Sequence, residues 1–314
     1  MRRSHMNRFC PEGRLIDTPE NLALLRDKSG LMQAYTHGRI LEARVLLCDN
    51  NHDLHLDLGA MRGRIPREEG ALGIEDGSVR DIALISRVNK PVQFYVTGFE
   101  SDIYGEQTAV LSRRQVQRDC YRSAVSALRP GDVIDATVTH TEGFGAFADI
   151  GAGLVALLPI DAVSVSRIPH PNVRFSVGDP IRAVVKSIAP DGKITLTHKE
   201  LLGTWEENAA KFKAGETVPG IVRSVEKYGV FVELAPNLAG LAEPVSDIHP
   251  GQHATVYIKS LIPERMKIKL AIVDAFHAQY PTQPPEYFVH ADHIDRWVYS
   301  PACCPRLIES VFDG

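Results

Sequence analysis

The sequence predicts a mainly β protein made of three tandem, closed five-stranded barrels joined by short helices, and three observations carry that prediction. The first is repetition at a fixed shift. Gly131 to Val138 aligns with Gly215 to Val222, 84 residues on. The match continues without a gap: Glu142 falls on Glu226, Phe144 on Tyr228, Gly145 on Gly229, Phe147 on Phe231, Asp149 on Glu233 and Leu157 on Leu241. A constant period is the mark of one structural unit used again. In the later halves Gly178 falls on Gly251, Lys186 on Lys259 and Lys193-Ile194-Thr195-Leu196 on Lys267-Ile268-Lys269-Leu270, so one loop has changed length. A fainter copy lies upstream, where Gly38 to Val45 matches Gly131 to Val138, Asp57-Leu58-Gly59 matches Asp149-Ile150-Gly151, and Pro91 to Val96 matches Pro180 to Val185.

The second observation is alternation. Ile134, Ala136 and Val138 face one way and Asp135, Thr137 and Thr139 the other, between clusters of Gly, Pro and Asp, as in an antiparallel strand with one buried face. The third is strand count. Five short strands in about 70 residues suit a small closed barrel of the OB type, whereas a sandwich needs about seven.

The elements then follow in order. Residues 1–30 form an N-terminal extension with a short helix, whose start is signalled by Thr18-Pro19-Glu20 ahead of Leu22, Leu24 and Leu25. Met1 to His5 precede a second methionine, Met6, and are left out of the fold reasoning. Residues 31–112 make a degenerate barrel. Residues 113–128 place Val116, Cys120, Val125 and Leu128 at helical spacing and read as a connector helix. The second barrel spans 129–199. A second connector helix, 200–213, carries Leu202, Trp205, Ala209 and Phe212, and the third barrel spans 214–275. Pro281, Pro284 and Pro285 open a tail, 276–314, whose Tyr287, Phe288, Trp297, Tyr299 and Phe312 are suited to packing against a barrel.

Composition narrows the function. The apolar fraction of 44% and charged fraction of 24% are those of a folded globular protein. No apolar run approaches the roughly 20 residues that span a bilayer, and no apolar stretch follows Arg2 and Arg3 as a secretory signal requires, so a cytoplasmic, membrane-free protein is expected. Five cysteines, an odd number, fit reduced thiols rather than a disulfide framework. A net charge of −4 argues against gripping nucleic acid by bulk electrostatics, so any such affinity must be local.

The local candidates are rings and lysines. Phe144 and Phe147, and Tyr228 and Phe231, are three residues apart, so each pair shares a surface only if the strand is interrupted, which the intervening glycine permits. Two rings on one barrel face form a stacking platform for bases. Lys186 and Lys193 in the second copy, and Arg223, Lys259, Lys267 and Lys269 in the third, are expected on outward positions where phosphates would meet them. The bland alternatives are a core ring in each pair and solvated lysines. The first copy lacks this equipment: it reads His52-Asp53-Leu54-His55, with Leu54, Leu56 and Leu58 alternating against His55 and Asp57, and docking onto a protein partner or the neighbouring barrel suits it better. No phosphate loop, nucleophile elbow or zinc-protease motif occurs, so no catalytic residue or cofactor is expected. His290 and His293 with Cys303 and Cys304 give a weak zinc signal, because adjacent cysteines are not the usual spaced pair; tail packing without metal is preferred.

With the aromatic-Gly-x-Phe motif and the closing Lys-Ile-x-Leu quoted, the chain resembles the S1 RNA-binding domain of the bacterial ribosomal protein S1 family, from about Leu31 to Asp274. The second and third copies carry the motif strongly, the first only in outline. Thr197 to Trp205 is similar to the inter-domain connector of multi-domain members, and the three-copy layout resembles short clostridial-type homologues. The resemblance implies binding of single-stranded RNA, often messenger RNA at the small ribosomal subunit, through Phe144, Phe147, Tyr228 and Phe231, with Lys193 and Lys267 as the basic positions. The chain departs from the family where a third-strand histidine is common, having Pro159 and Glu243 instead. The expected function is therefore RNA binding in translation, the first barrel docking to a partner such as the small subunit. The rival readings are an accessory factor in RNA decay or transcription, and a protein-interaction scaffold that no longer binds RNA.

Overall fold

A computed structural model describes residues 9–280 and 284–312; Met1 to Met6 and Pro281, singled out above, lie outside the described residues. Two helices lead in. α1 (Pro19–Leu25) starts as expected, with Pro19 in its first turn and the Thr18 hydroxyl accepting the Asn21 N–H. α2 (Lys28–His37) is a difference from the sequence reading, which gave 31–37 to the first barrel. Asp27 caps its start by accepting the Gly30 N–H, and Gly38, in the left-handed region at φ +56°, ends it.

The first barrel comprises β1 (Leu41–Cys48), β2 (Leu54–Asp57), β3 (Arg62–Ile65), β4 (Pro91–Ser101) and β5 (Gln107–Ser112), with the one-turn helix α3 (Ile82–Ile85) before β4. Its closed order is β1-β2-β3-β5-β4, antiparallel except for the β3–β5 pair. α4 (Arg113–Ser123) follows, capped by the Ser112 hydroxyl, and gives way to a 3₁₀ turn at Val125–Ala127, so the connector is shorter than 113–128. The second barrel, β6 (Val133–Glu142), β7 (Gly145–Asp149), β8 (Val155–Pro159), β9 (Pro180–Ile188) and β10 (Ile194–Thr197), has the same order. The second connector reduces to a turn at Lys199–Leu202 and α5 (Trp205–Ala209), held by a reciprocal Thr204–Glu207 capping box. β11 (Thr217–Glu226), β12 (Gly229–Ala235), β13 (Leu238–Ala242), β14 (His253–Ile262) and β15 (Lys267–Phe276) close the third barrel. Alternation fills each interior: Ile134, Ala136 and Val138 are buried while Asp135 is exposed. Closure pairs both edges of each barrel strand.

The chain forms two compact units, one from the chain up to Leu128 together with Asp149–Val155, the other from Arg129–Ala148 and the chain from Ala156 onward. In the first, buried carboxylates pin the N-terminal segment. Glu42, fully buried, accepts the Gly13 and Leu15 N–H groups, and the Asn21 side chain bonds the Glu42 backbone in both directions. Glu12 pairs with Arg113 at 2.6 and 3.0 Å, while Asp149 accepts N–H groups from Glu12, Gly151 and Gly153. Burial and the Glu12 charge push the Asp149 carboxyl up to about 7.

In the second unit the tail forms a hairpin, β16 (Arg296–Val298) with β17 (Glu309–Val311), and Trp297, Tyr299 and Phe312 join Trp205 and the third barrel's core in one apolar cluster. The Arg182 guanidinium donates to the Val289 and Ala291 carbonyls, straddling the strap before that hairpin. His198 is sealed edge-on between Phe175 and Tyr287, its Nδ1–H donating to the Val163 carbonyl and its Nε2 accepting from the Tyr287 hydroxyl. Burial pulls its pKa down to about 4. Because the unfolded chain binds the proton more readily, the stability tied to neutral His198 is complete above about pH 6.5 and is lost as pH falls toward 4. Both tryptophans lie in this unit, so their fluorescence reports on it alone. Urea titrations from pH 7 to 4 are expected to show a loss of about 3 kcal/mol that His198→Gln removes; parallel pH curves for the two proteins would refute the assignment.

Candidate nucleic-acid interface

Each aromatic pair is assembled from a turn and a strand. Glu226 pairs with Gly229, so Lys227 and Tyr228 form a two-residue hairpin turn, and Phe231 follows on β12. Gly143 and Phe144 occupy the equivalent turn before β7. Both rings of each pair thereby reach one outer surface: Phe144 and Phe147 meet edge-to-face at 5.9 Å and 87°, Tyr228 and Phe231 at 6.1 Å and 88°. Phe144 is 58% exposed and Tyr228 66%, while Phe147 and Phe231 are half-buried. The interruption foreseen from the sequence is the turn itself. The glycines serve a second need, close strand approach: a Cβ at Gly145 would lie 2.6 Å from the Leu158 carbonyl oxygen, and one at Gly229 2.5 Å from that of Ala242.

Strand register brings a cation to the third barrel's rings. Phe231 pairs with Leu241 and Leu241 with Lys269, which sets Phe231 and Lys269 in one row, two strands or about 10 Å apart. Lys267 is two residues away on β15, and both lysines are exposed. In the second barrel the row ends in Thr195, beside Leu157. Lys186 is exposed on β9, and Lys193 lies just before β10, bonded to Asp191 at 2.6 Å, which raises its pKa. Lys259 donates to Glu243 at 2.7 Å, and that contact holds the Glu243 carboxyl below the usual carboxylate range.

Arg223 is a correction. The expected open cation is only 8% exposed, at a β-bulge between Val222 and Ser224, and its guanidinium grips Glu233 at 2.8 and 3.0 Å. Arg174, from the loop between β8 and β9, reaches the same carboxylate at 2.6 Å. Glu233 thus joins the second and third barrels by accepting from both arginines. Asn237 adds to this junction, accepting the Val165 N–H and donating to the Lys199 and Gly203 carbonyls. Neither Arg174 nor Asn237 stood out in the sequence, since neither lies in a repeat motif. The recurrence of a carboxylate at Asp149 and Glu233 was the one available signal.

The first barrel carries polar pairs on its surface: Arg64 bridges Asp53 and Glu100, and His55 bonds Asp49. Leu54, Leu56 and Leu58 are buried in its core. In the tail, His293 lies between Asp132 and Asp295, and among the described residues no three metal-ligating side chains converge. The five cysteines are free thiols. No described helix is long and apolar enough to cross a membrane.

Residues 127–199, the second barrel, match the S1 RNA binding domain family. Small ribosomal subunit protein bS1 of Staphylococcus epidermidis is 32% identical over 180 residues, covering 52% of this chain and 46% of that protein. The Staphylococcus aureus bS1 is 28% identical over 278 residues, covering 83% and 68%. The chain spans about half the length of the first of these relatives. A Streptococcus pneumoniae multidomain protein with nucleic acid binding domains aligns over 77% of this chain and 76% of its own at 13% identity and a TM-score of 0.25; the barrel assignment rests on strand order instead. The second barrel is an S1 domain, and the chain is similar to bS1 proteins over much of its length.

Two substitutions test the construction of this face, read by tryptophan fluorescence in denaturant. Gly229→Ala is expected to destabilise the second unit by about 1–3 kcal/mol through the clash with β13. Glu233→Ala strands two guanidiniums and should cost about 3–5 kcal/mol; a loss under about 1 kcal/mol would show that the arginines find water instead.

Proposed function

We propose that this chain binds single-stranded RNA on the outer faces of its second and third barrels, in translation at the small ribosomal subunit, without catalysing a reaction. The carrying observation is the pair of solvent-facing ring sets, Phe144 with Phe147 and Tyr228 with Phe231, the latter in one row with the exposed Lys269. Bases stack on rings of this kind whatever their sequence, at roughly 1–3 kcal/mol per base. In this reading the exposed Lys267 and Lys269, and Lys186 and Lys193, meet the phosphates. The S1 domain match and the bS1 relatives support this reading. A messenger RNA strand, unpaired and extended, is the natural ligand for such a face, and the cytoplasm is the compartment where it is met.

The first barrel takes a different part. Its face lacks the turn-and-strand pair of Phe or Tyr rings and carries the Arg64 and His55 ion pairs instead, and we assign it to docking on a protein partner, the small subunit being the candidate.

Phe147→Ala and Phe231→Ala are each expected to weaken binding of a labelled single-stranded RNA by roughly 1–3 kcal/mol in fluorescence anisotropy. Lys269→Ala should flatten the log–log salt dependence by about 0.7. Affinity equal to the parent's in both ring variants would end the stacking proposal. Co-sedimentation with isolated small subunits separates translation from RNA decay or transcription.

A further inference from the structure

The second barrel carries a ring that the third lacks. His140, on β6, is 60% exposed, and its imidazole lies 6.2 Å from the Phe147 ring with the two planes 23° apart. Phe144 meets the same Phe147 ring edge-on. His140 Nε2 bonds Glu142 Oε1 at 2.6 Å, which fixes the orientation of the imidazole. At the equivalent position the third barrel has Ser224, paired across the strands with Phe231. On the far side of the row the difference reverses, Lys269 in the third barrel answering to Thr195 in the second. One barrel has an extra ring where the other has an extra cation.

We propose that His140 is a third base-contacting ring of the second barrel, turning its two-ring platform into one wide enough to favour purines over pyrimidines. The proposal rests on the reading that Phe144 and Phe147 receive bases, and it adds a contact and a preference to that reading. Glu142 decides the kind of contact. A carboxylate hydrogen-bonded to the imidazole offsets any positive charge there and repels phosphate oxygens, so the ring face, and not the charge, is what His140 offers an RNA strand. Because its plane follows that of Phe147, a base lying on Phe147 meets His140 in nearly the same orientation, and a bicyclic purine covers more of the combined surface than a pyrimidine. Stacking surfaces gain through area and do not depend on reading base edges.

The test uses the full chain with short labelled oligoadenylate and oligouridylate, by anisotropy at several salt concentrations, for the parent, His140→Ser, His140→Phe and Phe147→Ala. His140→Ser is expected to lower oligoadenylate affinity about fivefold, to lower oligouridylate affinity less, and to leave the salt dependence unchanged. His140→Phe should restore the parental value. Unchanged oligoadenylate affinity in His140→Ser, with Phe147→Ala still weakened, would overturn the inference while sparing the stacking reading. A shallower salt dependence in His140→Ser would also overturn it, by marking His140 as a phosphate contact. If Phe147→Ala binds as the parent does, both fall. Because His140 is largely exposed, parental tryptophan unfolding curves are expected for its variants.

Discussion

The interiors of closed five-stranded barrels are filled by their own side chains, so whatever such a barrel binds must be met on its outer wall. On the second and third barrels that wall depends on how near two strands can come. At Gly145 and Gly229 the carbonyl oxygen of the adjoining strand lies within 2.6 Å of where any other residue's first side-chain carbon would sit. This proximity keeps β8 and β13 tight against the strands that carry Phe147 and Phe231. The hairpin turns then set Phe144 and Tyr228 edge-on beside them. A bulkier residue at either glycine would widen the barrel at the point where the rings must stay together.

The charged residues divide by type. Arginines hold the architecture: Arg113 on Glu12, Arg64 on Asp53 and Glu100, Arg174 and Arg223 on Glu233, and Arg182 on the carbonyls of the strap. The planar guanidinium suits such work, since it bonds carboxylates in a fork and tolerates burial. The lysines singled out in the sequence are exposed instead, Lys193 and Lys259 paired at the surface with Asp191 and Glu243. A net charge of −4 is a sum over the whole chain, and exposed lysines such as Lys267 and Lys269 still make the surface locally positive.

Much of this was legible in the sequence, for physical reasons that also explain what was missed. Strand alternation and a constant 84-residue shift depend on local geometry, so the barrels and the ring pairs could be read directly. α2 escaped because its buried face is only Leu31 and Ala34, too sparse for a periodic signal. Alternation put Arg223 on the outer side of the third barrel, but it carries no information about what lies over that side, and Arg174 arrives from 49 positions upstream. The connectors proved shorter than read because their apolar spacing continues into turns that pack without being helical. His140 was passed over because it stands outside the ring motif, and only coordinates set it parallel to Phe147.

The arrangement of Trp297, Tyr299 and Phe312 inside the second unit's apolar cluster bears on how the chain is made. Synthesis proceeds from the N-terminus, and the first unit draws no segment from beyond Val155. It can be finished while much of the polypeptide is still to come. The second unit must wait for its last aromatic residues to emerge, leaving the apolar surface around Trp205 uncovered until then. A nascent chain of this protein therefore matures in two stages, the first barrel ahead of the second and third.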